Sequence, residues 1–467
     1  MTNLLVMKFG GTSVGSAARI KASAALVAAE AAKRPVVAVV SAMSKITDLL
    51  LEITRHAEAG DEAGMQRGVD QLRARHLETI AELLPEADRL PVIAAVEELL
   101  MEFQRITSGM RMLGQRPPRA VDEAIAIGER LSILLVAAYL RTQGVGAAPV
   151  NAAELIVTDA VFNNASPLMA ATAEKSQARL GAMLRAGQVP VVTGFNGATV
   201  DGRPTTLGRG GSDFSASILA AALDAAELWI WTDVDGIMTA DPRLVPNATV
   251  LAEITYSEAA ELAYAGAKVL HPRTLAPLVE RKIPVWSKNS FAPSKPGTRI
   301  VDSLAAGNAG ARAVTSMANV ALVSLEPSSG AAGGLRIMSR AVDALDRVNV
   351  EILALSSSSY RQSFCFLVRE EELEKATEAI ESALALELAH GYLKPLQIDT
   401  EVGLLAVVGE GMRGFSGVAG RIFTAISREG VNIIAIAQGS SELTIAIVVR
   451  RDGLEKAVRV VNAECHL

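Results

Sequence analysis

Up to about residue 300, the chain alternates between short apolar runs and longer stretches with helical periodicity. Five apolar runs have the length of buried strands, at 4–9, 35–42, 189–195, 227–233 and 283–288. Alanine-rich helical patterns lie between most of them, at 16–33, 118–142 and 212–224. Near-continuous apolar strands that alternate with helices predict an α/β fold, a three-layer αβα sandwich around a mainly parallel sheet.

A long charged stretch, residues 46–115, also has helical periodicity and contains no strand-like run. It predicts a helical insertion packed beside the sheet. The pattern changes again near 301–315, where "VDSLAAGNAGARA" has the composition of a linker. We therefore expect the first domain to occupy residues 1–300 and the linker to follow it.

The remainder of the chain repeats itself in two segments, 316–390 and 391–467. Each segment runs strand, glycine-rich loop, helix, strand, polar turn, strand, with Val350 aligned to Val431 and Ser357 to Gln438. Such a unit leaves an apolar sheet face or edge that a second copy can cover. Two small α+β domains are the simplest expectation.

Composition limits the classes of function. The 467 residues carry a net charge of −6, which argues against nucleic acid or an anionic membrane surface as the main partner. No uncharged apolar run approaches the roughly 18 residues of a membrane helix, and the N-terminal apolar stretch is too short for a signal peptide. Two separated cysteines and five scattered histidines predict a cytoplasmic protein without a disulfide framework or a histidine-based metal site.

The segment "VVGEGMRGFSG" carries the spacing G-x-G-x-x-G at Gly409, Gly411 and Gly414, which is typical of dinucleotide-binding loops. Such a site needs an acidic residue at the end of the next strand, and "NIIAIAQGSS" has none. Two interpretations remain: a turn that leads into the next helix, or a small-ligand loop that faces Asn432 and Gln438. We prefer the second.

The first strand continues into "KFGGTSVGS", with Lys8 before a Gly-Gly pair. Glycines at a strand-to-helix turn let backbone amides approach phosphate oxygens, and a lysine can neutralise a transferring phosphoryl group. A plain turn with a solvent-directed lysine fits equally well. After the second strand, Ser41 and Thr47 can donate hydroxyl hydrogen bonds, although Thr47 alone is more typical of a helix N-cap.

Two further motifs bring charge into the predicted α/β domain. Glu129 falls on an apolar helix face, where a carboxylate needs a cationic partner, either an internal arginine or the amino group of a substrate. In "TTLGRGGSDFSAS", Arg209 can bind a carboxylate or phosphate, and Asp213 can orient the ligand or the arginine. The alternative is a structural Arg209–Asp213 pair with Ser212 as N-cap.

The segment "WTDVDGIMTADPRLV" follows another strand and contains Asp233, Asp235 and Asp241. With Arg243, and with Lys268 in "GAKVLHP", it can form the nucleotide end of a site, although scattered loop acids are usually just solvated. Most of these motifs come directly after a predicted parallel strand, where α/β sheets bind ligands.

With "KFGGTS", "GRGGSD", "WTDVDGI" and "GAKVLHP" in this order, the chain resembles the aspartate kinases, which have the amino acid kinase fold. The resemblance covers essentially the whole chain, and the two repeats resemble the ferredoxin-like ACT regulatory domains of that family. It implies ATP-dependent phosphorylation of the side-chain carboxylate of L-aspartate, the first step of lysine, threonine and methionine biosynthesis, with feedback inhibition by an end-product amino acid.

The resemblance also implies roles for individual residues. Catalytic roles fall to Lys8, Arg209 and Asp213. L-aspartate would be bound by Ser41, Thr47, Glu129, Arg209, Gly210, Gly211 and Ser212, with Glu129 on its amino group and Arg209 on its α-carboxylate. ATP would be bound by Lys8, Phe9, Gly10, Gly11, Thr232, Asp233, Met238, Arg243, Lys268 and Val269. Met238 stands where the family often has an aromatic residue near adenine.

Within the family, the long insertion and "NIIAIAQGSSEL" resemble the threonine-responsive, bifunctional kinase–dehydrogenase branch. Because the sequence ends at Leu467, we expect a lone kinase or the kinase portion of a longer protein. The effector, threonine or lysine, would contact Gly411, Asn432 and Gln438, while Ser357 replaces the second glutamine expected in that branch. The resemblance further implies Mg²⁺ held mainly by the nucleotide phosphates, and a homodimer or higher oligomer formed through the ACT domains.

Two other readings remain open. One is a different kinase of the same fold, acting on glutamate or carbamate, against which Glu129, "GRGGSD" and the repeats weigh. The other is a non-catalytic amino-acid sensor, against which the intact Lys8, Arg209 and Asp213 argue.

Overall fold

The computed structural model describes residues 3–267, 269–304, 310–328, 334–358 and 363–467. They form two compact units. The first unit comprises Met1–Ile237, Ala252–Tyr256 and Leu270–Ser303, and the second comprises Met238–Leu251, Ser257–Val269 and Leu304–Leu467. The segments 238–251 and 257–269, which the sequence division places in the first domain, thus cluster with the C-terminal repeats.

The first 303 residues contain eleven described strands and ten described α-helices. The strands are β1 (Leu5–Phe9), β2 (Val36–Val40), β3 (Ala147–Val150), β4 (Val157–Thr158), β5 (Val189–Thr193), β6 (Asn196–Thr199), β7 (Pro204–Thr206), β8 (Glu227–Thr232), β9 (Glu253–Thr255), β10 (Val285–Asn289) and β11 (Thr298–Val301). The helices are α1 (Ala17–Ala31), α2 (Ile46–Glu58), α3 (Glu62–Leu83), α4 (Glu86–Leu113), α5 (Pro118–Ile125), α6 (Ile127–Thr142), α7 (Met169–Arg185), α8 (Gly211–Ala222), α9 (Tyr256–Tyr264) and α10 (Pro272–Val279).

An eight-stranded sheet forms the centre of the first unit, in the order β3-β5-β2-β1-β8-β10-β11-β9. Every neighbouring pair is parallel except β10 with β11. All five residues of β1, of β2 and of β5 are buried, as a parallel sheet covered on both faces requires. The mainly parallel sheet predicted from the apolar runs is confirmed.

The region 118–142, which the sequence predicts as one helix, is two helices that meet at Ala126. Both helices bury apolar residues, and α6 also buries Glu129. The stretch 46–115 forms the three long helices α2, α3 and α4, whose apolar residues join the core cluster that contains β1 and β2. Strands β4, β6 and β7 form a second, three-stranded sheet.

The C-terminal repeats share one order of elements. The first has β12 (Ala313–Leu325), α11 (Gly334–Arg347), β13 (Ala354–Ser358), β14 (Ser363–Arg369), α12 (Leu373–Ala383) and the short α13 (Ala385–Ala389). The second has β15 (Gln397–Val408), α14 (Val418–Arg428), β16 (Ile433–Gln438), β17 (Thr444–Arg450) and α15 (Leu454–Glu464). The predicted duplication is therefore visible in the fold.

The two repeats share one antiparallel sheet, in the order β13-β14-β12-β15-β17-β16. The first strands of the repeats, β12 and β15, pair with each other, so each repeat covers the edge that the other would expose. Helices α11 and α12 pack on one half of the sheet and α14 and α15 on the other. Because β15 lies in an antiparallel sheet, the loop at 409–414 is not part of a parallel dinucleotide-binding unit.

In the described parts of the chain, no helix combines the length and the apolar character needed to cross a membrane.

Candidate active site

A cavity of about 520 Å³ lies in the first unit, at the carboxyl ends of β1, β2, β5 and β8. Residues that end or directly follow these strands line it, together with the N-termini of α2 and α8 and one residue of α6. The sequence-predicted residues among its lining are Lys8, Gly11, Ser41, Thr47, Glu129, Gly210, Gly211, Ser212, Asp213 and Asp233. The folded chain thus brings together residues that are more than 200 positions apart.

Lys8 and Asp213 form an ion pair in this cavity. The Lys8 Nζ lies 2.5 Å from Asp213 Oδ1, and both side chains are largely buried. Lys8 projects from the central strand β1, and Asp213 belongs to the first turn of α8, so the pair joins the sheet to the helix. Asp213 therefore fixes a lysine, a partner that the sequence did not suggest for it.

Glu129 is the most unusual ionisable group of the cavity. It is 3% exposed, and its Oε1 accepts a hydrogen bond from the Ala42 backbone N–H at 3.1 Å. Its Oε2 is buried and, among the residues that the structure describes, has no hydrogen-bond partner. Burial raises the pKa of Glu129 to about 8, although the Ala42 N–H and the positive charge of Lys8 act in the opposite direction. A cationic group of a ligand would supply the missing partner.

The glycines at this edge are required by close backbone contacts. A side chain at Gly11 would place its Cβ 3.0 Å from the Ala42 carbonyl oxygen, and one at Gly211 would reach within 2.5 Å of the Phe195 ring. Gly208 and Gly210 have φ angles of 76° and 67°, a left-handed region that favours glycine. The turn before α8 can therefore approach the turn after β5 only with these residues.

Helix α8 begins at Gly211 with Gly210 as its N-cap, and α2 begins at Ile46 with Lys45 as its N-cap. Ser212 and Thr47 are consequently inside the first turns of their helices, and the alternative interpretation of both as N-caps is wrong. Both residues line the cavity. Two helix N-termini that face one cavity supply unpaired amide groups and partial positive charge, which favours anionic ligands.

A buried carboxylate, Asp122, holds the segment that leads into the glycine turn. Its Oδ1 accepts from the Thr206 hydroxyl at 2.6 Å, and its Oδ2 accepts from the backbone N–H groups of Thr206 and Asn163, at 3.1 and 2.8 Å. Burial raises the pKa of Asp122, against these hydrogen bonds. On the other side, Arg273 donates to the Leu207 carbonyl and to Asn164. The sequence offered no motif for either residue.

Several predicted residues do not line the cavity. Phe9 is buried in the sheet, where its ring stacks on Trp231 with 6.2 Å between centroids. Gly10 is close to Lys8, since a Cβ built on it would lie 3.4 Å from the lysine Nζ. Thr232 donates a hydrogen bond to Asp233, and Arg209 is exposed in the turn between the two left-handed glycines.

The remaining residues of the predicted nucleotide site belong to the second unit or lie outside the described residues. Met238 is half-buried and forms an isolated antiparallel β-bridge with Val250. Arg243 forms an ion pair with Asp241, with 2.5 Å between Nη2 and Oδ2. Val269 follows α9, whereas Lys268 lies outside the described residues. In the first unit, Asp235 pairs with Lys295 at 2.5 Å, so two of the three loop acids, Asp235 and Asp241, have cationic partners.

The predicted effector residues are in the second unit. Asn432 and Gln438 are exposed, before and at the end of the edge strand β16, and the matching Ser357 is exposed in the other edge strand, β13. The Gly411 carbonyl accepts from the Gly310 N–H. In the same loop, the Gly414 N–H donates to Glu442 at 2.7 Å and the Glu410 N–H donates to the buried Glu258 at 2.8 Å.

The cavity also contains residues that sequence reasoning missed: Thr12, Ala42, Met43, Ser44, Lys45, Asp48, Phe195 and Gly208. Most of them are direct neighbours of predicted residues, so the position after a strand end is the signal that would have found them. Within the described ranges, no three His, Cys, Asp or Glu side chains form a cluster that could hold a metal ion.

Comparison with known proteins gives family matches over both parts of the chain. The model of the amino acid kinase family matches residues 3–289, and that of the ACT domain matches residues 405–465. Bifunctional aspartokinase/homoserine dehydrogenase 1 of Arabidopsis thaliana is 34% identical over 469 residues, which are 99% of this chain and 51% of that protein. The chain thus spans about half the length of the bifunctional relatives it matches.

A second relative matches over most of both proteins. Aspartokinase 3 of Arabidopsis thaliana is 31% identical over 470 residues, 98% of this chain and 81% of that protein. Among solved structures, E. coli aspartokinase III in complex with aspartate and ADP is 29% identical and covers 100% of both chains with a TM-score of 0.83. The same protein in complex with lysine and aspartate gives a TM-score of 0.81.

The raised pKa of Glu129 predicts a pH-dependent cost to stability. Between pH 4.5 and about 8 the folded protein keeps this carboxyl protonated while the unfolded chain ionises it, so the stability falls with rising pH, by at most about 1.4 kcal/mol per pH unit. Glu129→Gln removes this loss. Thermal unfolding between pH 5 and pH 9 should therefore show a stability difference, variant minus wild type, that grows up to pH 8.

The exposed Glu98 on α4 provides the matched control, because Glu98→Gln makes the same substitution at a carboxylate that is not buried. If the Glu129→Gln difference did not change between pH 5 and pH 8, the burial cost assigned to this carboxylate would be wrong.

The Asp122 contacts predict a second effect. Asp122→Asn replaces one of the two accepting oxygens by an NH2 group. Because Oδ1 accepts from the Thr206 hydroxyl and Oδ2 from the backbone N–H groups of Asn163 and Thr206, at least one buried donor loses its acceptor. We expect the free energy of unfolding to fall by about 1–3 kcal/mol. Urea denaturation measures the change.

Asp201→Asn is the control for this variant. Asp201 accepts from Thr199 and pairs with Arg203 in the turn between β6 and β7, but its side chain is 62% exposed. Its loss should leave the urea midpoint close to the wild-type value, because an exposed ion pair contributes little to stability. Equal losses in both variants would contradict the special role of Asp122.

Proposed function

Because the chain belongs to the amino acid kinase family and, within it, to the aspartokinases, we propose that it transfers the γ-phosphoryl group of ATP to the side-chain carboxylate of L-aspartate. The product is 4-phospho-L-aspartate, an acyl phosphate. The observation that carries the proposal is the pair of charges in one cavity: the buried Glu129 oxygen without a partner and, beside it, the Lys8–Asp213 ion pair.

An α-amino acid substrate fits Glu129. The substrate ammonium would donate to Glu129 Oε2 and stabilise the ionised carboxylate, which desolvation disfavours in the absence of a ligand. The first-turn amides of α2 and α8, with the hydroxyls of Thr47 and Ser212, would bind the substrate carboxylates. Arg209, in the exposed turn next to the cavity, would bind the α-carboxylate by swinging its side chain inward.

The chemistry needs no general base, since the attacking carboxylate of aspartate is already ionised at pH 7. The chain has to align the two substrates and stabilise the charge of the transferring group. Lys8 would donate to the γ-phosphate, and Asp213 would keep the Lys8 ammonium in place. Mg²⁺, held mainly through the nucleotide phosphates, would neutralise part of their charge.

Hydroxylamine trapping tests the reaction directly. We expect wild-type protein with ATP, Mg²⁺ and L-aspartate to form aspartyl hydroxamate. Lys8→Ala should lower kcat by a factor on the order of 10²–10³, because a charge that stabilises the transferring group is lost. Lys33→Ala, at a 65% exposed lysine two residues after the end of α1, is the matched control and should keep wild-type turnover.

The pH dependence adds a second readout. If Glu129 binds the substrate ammonium, the KM for aspartate should fall as pH rises towards 8, and Glu129→Gln should raise KM and remove this dependence. Hydroxamate formation with glutamate and none with aspartate would favour another kinase of the same fold. Tight amino-acid binding without any hydroxamate would favour a sensor.

We further infer that the second unit binds an amino-acid effector and inhibits the kinase through it, and that the protein assembles as a homo-oligomer. The ACT-domain match supports the effector proposal, as does the lysine complex of E. coli aspartokinase III. The effector, lysine or threonine, would contact the loop at 409–414 with Asn432 and Gln438. Inhibition requires that the effector bind more tightly to a conformation with weaker substrate binding.

Gln438→Ala should reduce inhibition by lysine or threonine while keeping the uninhibited turnover rate, because Gln438 is not among the residues that line the cavity and is exposed at a sheet edge. Ser357→Ala, at the matching position of the first repeat, is the control. Titrations of the hydroxamate rate with each amino acid give the inhibition constants. Unchanged inhibition in Gln438→Ala would remove this residue from the effector site.

A further inference from the structure

Lys45 has a backbone conformation that is unfavourable for a lysine. It has φ 66° and ψ 3°, in the left-handed region, at the N-terminus of α2. Residues with a Cβ avoid this region because the Cβ crowds the following carbonyl, whereas glycine adopts it freely. A lysine at such a position suggests a role for its side chain, and Lys45 is one of the residues that line the candidate active site.

The charges of the cavity residues indicate which kind of group the Lys45 side chain would bind. Lys8 and Lys45 are the cations among the described residues of its lining, and four carboxylates line it as well: Asp48, Glu129, Asp213 and Asp233. Lys8 is already paired with Asp213. No carboxylate in the described ranges lies within ion-pair distance of the Lys45 ammonium. Lys45 is thus a cation at the cavity whose charge is not neutralised by any carboxylate of the described part of the chain.

Other features of the cavity indicate a ligand that carries both signs of charge. Glu129 Oε2 is buried without a partner and calls for a cation, while the N-termini of α2 and α8 favour anions. Lys45 caps one of these helix N-termini, so its ammonium adds a full positive charge to the partial charge of the helix. An anionic group bound there would contact both.

We propose that Lys45 is a substrate-binding residue that holds an anionic group in this cavity, a carboxylate of the amino acid or a phosphate of the nucleotide. The inference rests on the proposed phosphoryl transfer to aspartate. The left-handed conformation is then a cost in stability that is offset by substrate binding.

The Lys45→Gly variant separates the two effects, because glycine relieves the backbone conformation and removes the charge. We expect KM to rise about three- to tenfold for the substrate that Lys45 contacts. The temperature of half-unfolding should stay equal to the wild-type value or increase by up to about 2 °C. A rise in the KM for aspartate identifies a carboxylate, and a rise in the KM for ATP identifies a phosphate.

Two variants serve as controls. Lys45→Arg keeps the charge and should stay within about twofold of the wild-type KM. Lys282→Gly makes the same substitution at another lysine in a left-handed conformation (φ 52°), before the amino end of β10 and paired with Asp302, and should leave both KM values unchanged. The effect of Lys45→Gly should also shrink at high salt, since the contact is partly exposed.

Unchanged KM values for both substrates in Lys45→Gly would overturn the inference, as would a loss of stability that accompanies equal KM changes in Lys45→Gly and Lys45→Arg. The proposed function fails by a different result, the absence of aspartyl hydroxamate in the wild-type protein. The two failures are therefore distinguishable in one set of assays.

Discussion

Parallel pairing of β1 with both β2 and β8 is the interaction on which the candidate active site depends. Parallel strands end at the same edge of a sheet, so the residues that follow them meet in space although they are far apart in the chain. This pairing requires crossover helices on both faces, which explains why β1 and β2 are buried along their whole length. The edge itself cannot be covered in the same way, and the cavity lies there.

The second constraint is the desolvation of Glu129. An ionised carboxylate in an apolar helix face is unfavourable unless a partner supplies positive charge. Of the two Glu129 oxygens, only Oε1 has a hydrogen bond among the described residues. Glu129 is held next to Ala42 because α6 packs against the turn after β2, and this packing needs Gly128, where a Cβ would contact the Ala42 side chain. The stability given up at Glu129 has the form expected of a binding site: a cost in the empty protein that a ligand removes.

Much of this could be predicted from the sequence, for reasons that are local. The ends of the central strands lie within two residues of the ends predicted from the apolar runs. The glycine-rich motifs correctly marked Gly11, Gly210 and Gly211 as positions of close backbone approach. What failed depends on tertiary contacts. Whether Phe9 points into the core or into the cavity depends on the strand register, and Phe195 lines the cavity because its turn packs on Gly211. The break at Ala126 is not at a glycine or proline, and the nearest glycine, Gly128, lies inside α6.

In the second unit, the loop at 409–414 also needs glycines because of close contacts and a left-handed backbone. Gly409 is required because a Cβ there would lie 2.6 Å from the Gly310 carbonyl oxygen, and Gly414 has a φ of 67°. Two backbone amides of the loop already donate hydrogen bonds to carboxylates: Glu410 N–H to Glu258 and Gly414 N–H to Glu442. Glu258 is fully buried and belongs to α9, and Glu261 of the same helix accepts from Thr444 of β17. A change in the loop would therefore cost a hydrogen bond of a buried carboxylate, so that the loop and α9 have to rearrange together.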